Sequence, residues 1–197
     1  MYRRQFISSY IKTLLGILFF PINNISNLIN RKYYVQSSPL INTQRINRNL
    51  DKLKSFGKNK DGGIDRLAFS DADREARRYV IKLMKDAGLM VSIDTAANII
   101  GRMDGKESQF KPIMIGSHID SVLGGGNYDG QVGSLGAIEV VKTLNENNIH
   151  LRHPIEVVIF SNEEGGKTGS RAMANLVEDF ELNIVTDSGH TIGEGLS

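Results

Sequence analysis

The sequence predicts an α/β domain with a largely parallel central sheet flanked by helices. Segments with apolar residues at helical spacing alternate along the chain with short apolar runs. The two most continuous runs, residues 112–116 and 155–160, have the composition of strands buried on both faces, which is typical of parallel sheets. Imidazole or carboxylate groups and glycine follow each run, as expected where an open α/β sheet places its site.

The predicted elements are, in chain order, helices at 41–56 and 71–86, strands at 90–93 and 98–102, a buried central strand at 112–116, a helix at 132–144, a strand at 155–160 and a helix at 170–176. Ser70 with Asp73 three residues later resembles a capping box, with Asp in place of the usual Glu, and predicts the start of the second helix. Gly88 predicts its end.

Composition limits the function. The chain has 197 residues, enough for one domain with a core, and a net charge of +2, which gives no indication of nucleic-acid binding. Residues 1–50 hold seven basic and no acidic residues, which leaves 17 basic and 22 acidic residues for the rest. The absence of cysteine excludes disulfides and thiolate metal ligands.

The N-terminal segment, residues 1–38, is predicted to be a signal-like or disordered leader and linker, separate from a catalytic segment at 39–197. Arg3-Arg4 precedes a short apolar run at 14–20 that ends at Pro21, a layout typical of a twin-arginine export signal. The run is shorter than a membrane span. We therefore expect an exported protein whose leader contacts the membrane or the export machinery. The alternative is a disordered extension on a cytoplasmic protein.

Five acidic or imidazole side chains are the candidate site: His118, Asp120, Asp129, Glu163 and Glu164. They lie in two stretches that meet if the strands before them are parallel neighbours. Divalent cations bind carboxylate oxygens, zinc also accepts imidazole nitrogen, and two cations sharing a carboxylate can activate water for hydrolysis. The sequence therefore predicts a metal-dependent hydrolase.

Each candidate has a simpler interpretation. His118 alone could be structural, Asp129 could cap the following helix, and Glu163-Glu164 could be a solvated acidic pair. Residues 124–126 are three glycines, which could be a flexible turn or the bend that returns Asp129 towards His118. Other polar residues are interpreted as surface or structural groups, although Arg171 could also contact substrate: His150, His153, His190 and Arg171.

Several blocks from residue 41 to the C-terminus resemble the M20 metallopeptidase superfamily, in particular its hydantoinase/carbamoylase amidases. The blocks are Gly-Gly-Ile-Asp-Arg-Leu-Ala-Phe-Ser at 62–70, Ala-Asn-Ile-Ile-Gly-Arg at 97–102, the two site stretches, and Gly-Ser-Arg-Ala at 169–172. The resemblance implies that His118, Asp129 and Glu164 are metal ligands, with Asp129 bridging two ions. It implies that Glu163 is the general base and that Asp120 orients the His118 imidazole.

The resemblance further implies two divalent ions, Zn²⁺ or Mn²⁺, and a small-molecule substrate with a linear amide or ureido group, such as an N-carbamoyl amino acid or allantoate. It implies a homodimer for the full-length family. The family uses two more histidines outside the matching blocks and a longer segment where this chain has only residues 166–168. We therefore expect a partial, C-terminally truncated catalytic domain with a half site. The alternatives are a dipeptidase or aminoacylase, and a non-catalytic fragment that only binds a metal or a partner.

Overall fold

The computed structural model describes residues 40–197. The strands are β1 (Met90–Ile93), β2 (Ile99–Met103), β3 (Ile113–His118) and β4 (Ile155–Phe160). The helices are α1 (Thr43–Lys54), α2 (Asp71–Asp86), α3 (Gln131–Glu146), α4 (Thr168–Met173) and α5 (Ile192–Leu196), with a 3₁₀ turn at Asp179–Asn183. The leader predicted at 1–38 and its export signal lie outside the described residues. No helix within 40–197 has the length and hydropathy to cross a membrane.

The α/β prediction is confirmed, but the sheet is mixed rather than largely parallel. Its strand order is β1-β2-β4-β3. β2 runs antiparallel to both β1 and β4, and only β3 and β4 are parallel. The reason is the length of the connections. A short turn, in which the Asp94 carboxylate accepts from the N–H groups of Ala96 and Asn98, joins β1 to β2. Parallel strands need a crossover, and within this sheet α3 supplies it between β3 and β4.

The prediction of a buried central strand at 112–116 is corrected by β3, which forms an edge of the sheet. Ile113 and Met114 are 47% and 42% exposed, whereas Val157 and Ile159 of the central strand β4 are fully buried. A continuous apolar run looks the same in an edge strand and in a central one, because the pairing partners that decide the burial lie elsewhere in the chain.

The core lies between the sheet and the first three helices. α3 packs on β3 and β4 through Leu135, Ile138 and Val141. α1 packs on α3, and a bidentate ion pair fixes this contact, since Arg45 donates two hydrogen bonds to the buried Glu139 carboxylate, at 2.7 and 2.8 Å. This packing holds α3, and with it the loop before α3, against the ends of β3 and β4.

The start of α2 buries an acidic group. Ser70 caps the helix as predicted, since its hydroxyl accepts from the Asp73 N–H at 3.2 Å. The Asp73 carboxylate does not complete a capping box and instead accepts from the Phe69 N–H at 3.1 Å. Burial raises the pKa of Asp73 to about 6, although the charge of Arg77 and this hydrogen bond oppose the rise. The ionised form of Asp73 therefore costs folding free energy.

Asp73→Asn is expected to stabilise the protein near neutral pH. The carboxyl pKa is about 3.9 in the unfolded chain and about 6 in the fold. The folded state therefore binds more protons between these values, and stability is lost as the pH rises from about 4 to 6. Two pKa units correspond to roughly 3 kcal/mol. Urea unfolding at pH 4 and pH 7 should show that the free energy of unfolding of the variant, relative to wild type, increases as the pH rises. Asp71→Asn, on the exposed side of α2, is the control. A pH-independent difference for Asp73→Asn contradicts the prediction.

Candidate metal centre

The ends of β3 and β4 lie side by side because the two strands are parallel neighbours in register, with His118 opposite Phe160. Asp120 follows β3 by two residues, and Glu163-Glu164 follow β4 within a tight turn. That turn is closed by the Asn162 amide, which donates to the Thr168 hydroxyl at 2.8 Å. The sheet register therefore brings the histidine and the two glutamates to one edge.

Asp129 reaches the same edge through the glycine-rich loop. Gly125 exchanges two backbone hydrogen bonds of 3.0 Å with Ile64, which anchors the middle of the loop. The chain then returns so that Asp129 Oδ1 lies 3.9 Å from His118 Nε2. The helix-cap alternative for Asp129 is not observed, because the N-cap residue of α3 is Gly130 and no side chain caps the helix. The Asp129 side chain is 82% exposed and faces solvent beside the imidazole.

His118 is buried, and both of its ring nitrogens face acidic groups. Nδ1 lies 3.2 Å from the Asp120 carbonyl oxygen and 3.3 Å from Asp120 Oδ1. Nε2 lies 3.8 Å from Glu163 Oε2. The Ser134 hydroxyl donates to the His118 carbonyl at 2.8 Å and fixes the backbone from α3. The ring is therefore held with Nε2 pointing towards the carboxylates.

Asp120 connects the two strand ends. Its Oδ2 accepts from the Glu164 N–H at 3.0 Å, so the residue after β3 supports the turn after β4. Its Oδ1 is buried and, within residues 40–197, has no hydrogen bond of good geometry, the nearest polar group being His118 Nδ1 at 3.3 Å. Asp120 is therefore placed to accept a hydrogen bond from the Nδ1–H group and to hold the imidazole with Nε2 free.

The site at this edge contains more acidic groups than basic ones. Burial lowers the pKa of His118, but the close Asp120 carboxylate and the charges of Glu163 and Glu164 outweigh this effect, so the pKa is raised. Burial raises the pKa of Glu164, with opposition from His118 and reinforcement from Asp129 and Glu163. In the described part of the chain no lysine or arginine forms an ion pair with these carboxylates. A bound cation would remove this repulsion.

The donor set fits a divalent metal ion. One ligand atom each from His118, Glu163 and Glu164 lie within 4.8 Å of one another. Zinc binds histidine nitrogen and carboxylate oxygen at about 2.0–2.2 Å, so ligands of one ion lie roughly 3–4 Å apart. Manganese also accepts carboxylate ligands. Small side-chain rotations would bring these donors to such a distance, and the buried, unsatisfied Asp120 oxygen behind the imidazole is the support that metal-binding histidines use.

The other polar residues considered in the sequence lie outside this cluster. His190 is exposed in a turn and His150 is exposed. His153 contacts the Lys111 carbonyl oxygen at 2.9 Å. Arg171 pairs with Glu181 at 2.5 Å and also donates to a backbone carbonyl, which is a structural role.

Two residues that shape the site were not singled out in the sequence. Gly130 has a φ of 68°, and a Cβ there would lie 2.4 Å from His118 Nε2. Ser134 holds the His118 carbonyl from one turn into α3. Asp-Gly at 129–130 is a common turn dipeptide, so its close approach to the ring had no sequence signal. A cavity of about 260 Å³ opens beside Asp120 and Glu164 and is lined on its far side by residues 184–188, which gives space for a small ligand.

Comparisons with known proteins identify relatives of this chain. The profile described as "Peptidase family M28" matches residues 98–192. An N-carbamoyl-L-amino-acid amidohydrolase of Pseudomonas sp. is 43% identical over 161 residues, which cover 79% of this chain and 39% of the relative. A ureidoglycolate hydrolase of Oryza sativa is 35% identical, covering 72% of this chain and 31% of the relative.

A solved structure gives the same result. A hydantoinase/carbamoylase family amidase from Burkholderia ambifaria superposes with a TM-score of 0.75 at 36% identity, covering 80% of this chain and 40% of that one. Over about four fifths of its length this chain therefore resembles the hydantoinase/carbamoylase amidases. It spans about 40% of the length of two curated N-carbamoyl-L-amino-acid amidohydrolases that it matches.

Proposed function

We propose that this chain carries half of a metal-dependent amidohydrolase site that hydrolyses the C–N bond of a linear amide or ureido group. The observation that carries the proposal is the meeting of His118, Asp129 and the two glutamates at the paired ends of β3 and β4. The names of the relatives, an N-carbamoyl-L-amino-acid amidohydrolase and a ureidoglycolate hydrolase, support the substrate class.

Each side chain has a proposed role. His118 would bind one ion through Nε2, Glu164 a second, and Asp129 both. Two ions of zinc or manganese would polarise the substrate carbonyl and lower the pKa of a water molecule. Asp120 would orient the imidazole through Nδ1. Glu163, with its side chain 28% exposed, can both reach the cluster and meet solvent. It would take the proton of the attacking water and return it to the leaving nitrogen.

The geometry admits a second arrangement for Glu163. The cluster of mutually close donors contains Glu163 and Glu164 but not Asp129. Without an ion in place, adjacent carboxylates can exchange the roles of ligand and base by rotating their side chains. We keep the base at Glu163, as the resemblance to the amidases implies; its Oε2 lies 3.8 Å from His118 Nε2, and Asp120 accepts from the backbone N–H of Glu164.

Two related functions remain as alternatives. The M28 profile favours a peptidase or aminoacylase, which would use the same site on a peptide amide. A protein that binds a metal without turnover is the other, because the residues described supply one histidine to the cluster. Homodimerisation and export through residues 1–38 remain predictions.

The chain alone is expected to hydrolyse N-carbamoyl amino acids and allantoate poorly or not at all when loaded with Zn²⁺ or Mn²⁺. The resemblance implies a centre that takes the bridging aspartate and two further ligands per ion, and the cluster within residues 40–197 supplies one of those two for each ion. A missing ligand loosens the geometry that positions the attacking water. Product release should be followed with Glu163→Gln as the control. Robust turnover that Glu163→Gln abolishes would show a complete site, shared between chains.

A chimera tests the function itself. Residues 41–197 of this chain would replace the matching segment of the Burkholderia ambifaria amidase, which supplies the rest of the fold. The chimera is expected to hydrolyse the substrates of that amidase, and Glu163→Gln within it should reduce kcat by about 10²–10⁴-fold, as loss of a general base does. A folded chimera without activity, or one insensitive to Glu163→Gln, contradicts the proposal. Assays with dipeptides and N-acetyl amino acids distinguish the alternatives.

A further inference from the structure

Arg66 lies fully buried behind the candidate metal centre, in the segment between α1 and α2. Within residues 40–197 it forms no ion pair. The charges of Asp73 and Asp120 act on it without direct contact: burial lowers the pKa of Arg66, and these charges raise it by less. A buried guanidinium without a paired carboxylate is costly and needs its N–H groups satisfied by other acceptors. Those acceptors are backbone and amide oxygens.

The guanidinium donates hydrogen bonds to both segments that carry the site, the end of β3 and the start of α3. Nε donates to the carbonyl of Ile119, the residue between His118 and Asp120, at 2.6 Å. In the amide orientation that satisfies its neighbours, the Gln131 oxygen accepts from Nη2 at 2.9 Å. Gln131 follows Asp129-Gly130 directly, as the first residue of α3. One side chain therefore connects the β3 end that carries His118 to the loop end that carries Asp129.

The backbone of Arg66 strengthens the same connection. Its N–H donates to the Ser121 hydroxyl at 3.0 Å, and the Ser121 N–H donates to the Arg66 carbonyl at 2.9 Å. The segment of Arg66 and the segment 119–121 thus run together as a short hydrogen-bonded ladder. The side chain and the main chain of Arg66 hold the same turn from two sides.

We propose that Arg66 is a positioning residue for metal binding, which sets the distance between His118 and Asp129 by bonding Ile119 and Gln131 at once. This inference rests on the proposed function. It explains why an arginine occupies a fully buried position, since only a planar guanidinium presents several donors in fixed directions. A lysine keeps the charge but cannot donate to Ile119 and Gln131 at once in the same geometry.

Arg66 also has a structural task, because Nη1 donates to the carbonyls of Leu53 and Phe56 at the end of α1, both at 2.8 Å. A loss of stability would therefore say nothing about the site. The test needs a readout of ligand geometry that a merely destabilised protein would not change. The visible absorption of bound Co²⁺ provides one, because its bands depend on the number and arrangement of the ligands.

The experiment compares the 197-residue wild type with Arg66→Lys, Gln131→Met and Met84→Ala, at a temperature at which circular dichroism shows each to be folded. Met84 is a fully buried α2 residue near Leu89 and serves as the destabilised control. Each protein is titrated with Co²⁺. Arg66→Lys is expected to weaken Co²⁺ affinity by roughly 10–100-fold, as loss of an outer-shell partner does, and to change the spectrum at saturation. Gln131→Met should do the same to a smaller extent, and Met84→Ala should do neither.

A folded Arg66→Lys protein with the affinity and spectrum of wild type overturns the inference. If Arg66→Lys does not fold, Gln131→Met decides: a changed spectrum supports the inference and an unchanged one overturns it. An equal change in Met84→Ala also overturns it, because the effect would then follow stability alone. A wild-type chain that binds no Co²⁺ contradicts the metal centre itself and the inference with it, whereas normal wild-type binding with unaffected variants contradicts only the role of Arg66.

Discussion

Replacing His118 with alanine is expected to abolish high-occupancy divalent-metal binding by this chain. His118 is the only imidazole in the donor cluster formed by the described residues. Its ring is held by Asp120 on one side and faces Asp129 and Glu163 on the other, so no nearby group can replace Nε2. Affinity should fall by more than the roughly 10–100-fold that loss of an outer-shell partner costs. Equilibrium dialysis against Zn²⁺, with metal analysis of the retained protein, measures the change.

His190→Ala is the matched control for this experiment, because His190 is exposed in a turn and takes no part in the cluster. It should leave both the stoichiometry and the affinity unchanged. Retention of the wild-type affinity by His118→Ala would mean that the carboxylates alone hold the ion, and the proposed role of the imidazole would be wrong.

Gly130→Ala is expected to damage the site almost as severely. The φ of 68° at this position is costly for alanine, at about 1–3 kcal/mol. The new methyl group would also lie 2.4 Å from His118 Nε2, so the ring or the backbone must move. Either movement changes the position of His118 Nε2 relative to Asp129 Oδ1, which lies 3.9 Å away. We expect lower stability in urea unfolding and at least a tenfold loss of Zn²⁺ affinity, on the scale of an outer-shell change.

Gly126→Ala provides the comparison within the same loop. Nothing lies within 4 Å of a Cβ at Gly126, and its backbone is not in the left-handed region. This variant should bind metal and unfold like wild type. Equal loss in both variants would mean that the loop needs flexibility in general, and equal retention would mean that the close contact of Gly130 with the imidazole is unimportant.

Local sequence patterns were enough to predict the helices and strands. The pairing of strands that lie far apart in the chain could not be predicted from them. Ser70 and Gly88 gave the bounds of α2 because capping depends on neighbouring residues, and both were confirmed. The strands β1 and β2 were also predicted. The mixed sheet was not, because apolar runs carry no information on strand order. The position of β3 at the edge follows from pairing across about 40 residues of intervening chain, between Ile113 and Ile155.

The residues of the candidate site were predicted from the sequence. The residues that hold them in place were not. The resemblance to the amidases named His118, Asp120, Asp129, Glu163 and Glu164, and the fold brings their side chains to one edge. Gly130 and Ser134 had no such signal, because a close contact and a hydroxyl-to-carbonyl bond depend on the path of α3 past β3. Asp73 likewise appeared as a helix-capping residue, and only the packing around α2 shows that its carboxylate is buried.

The central claim is that His118, Asp129 and the two glutamates form a metal centre. Crystals of this chain grown with Zn²⁺, measured at the zinc absorption edge, test it most directly. We predict an anomalous difference peak at about 2.0–2.2 Å from His118 Nε2 and from a carboxylate oxygen of Asp129 or Glu164. Zinc bound only at surface histidines such as His150 or His190, with the edge at β3 and β4 ordered and empty, would contradict the claim.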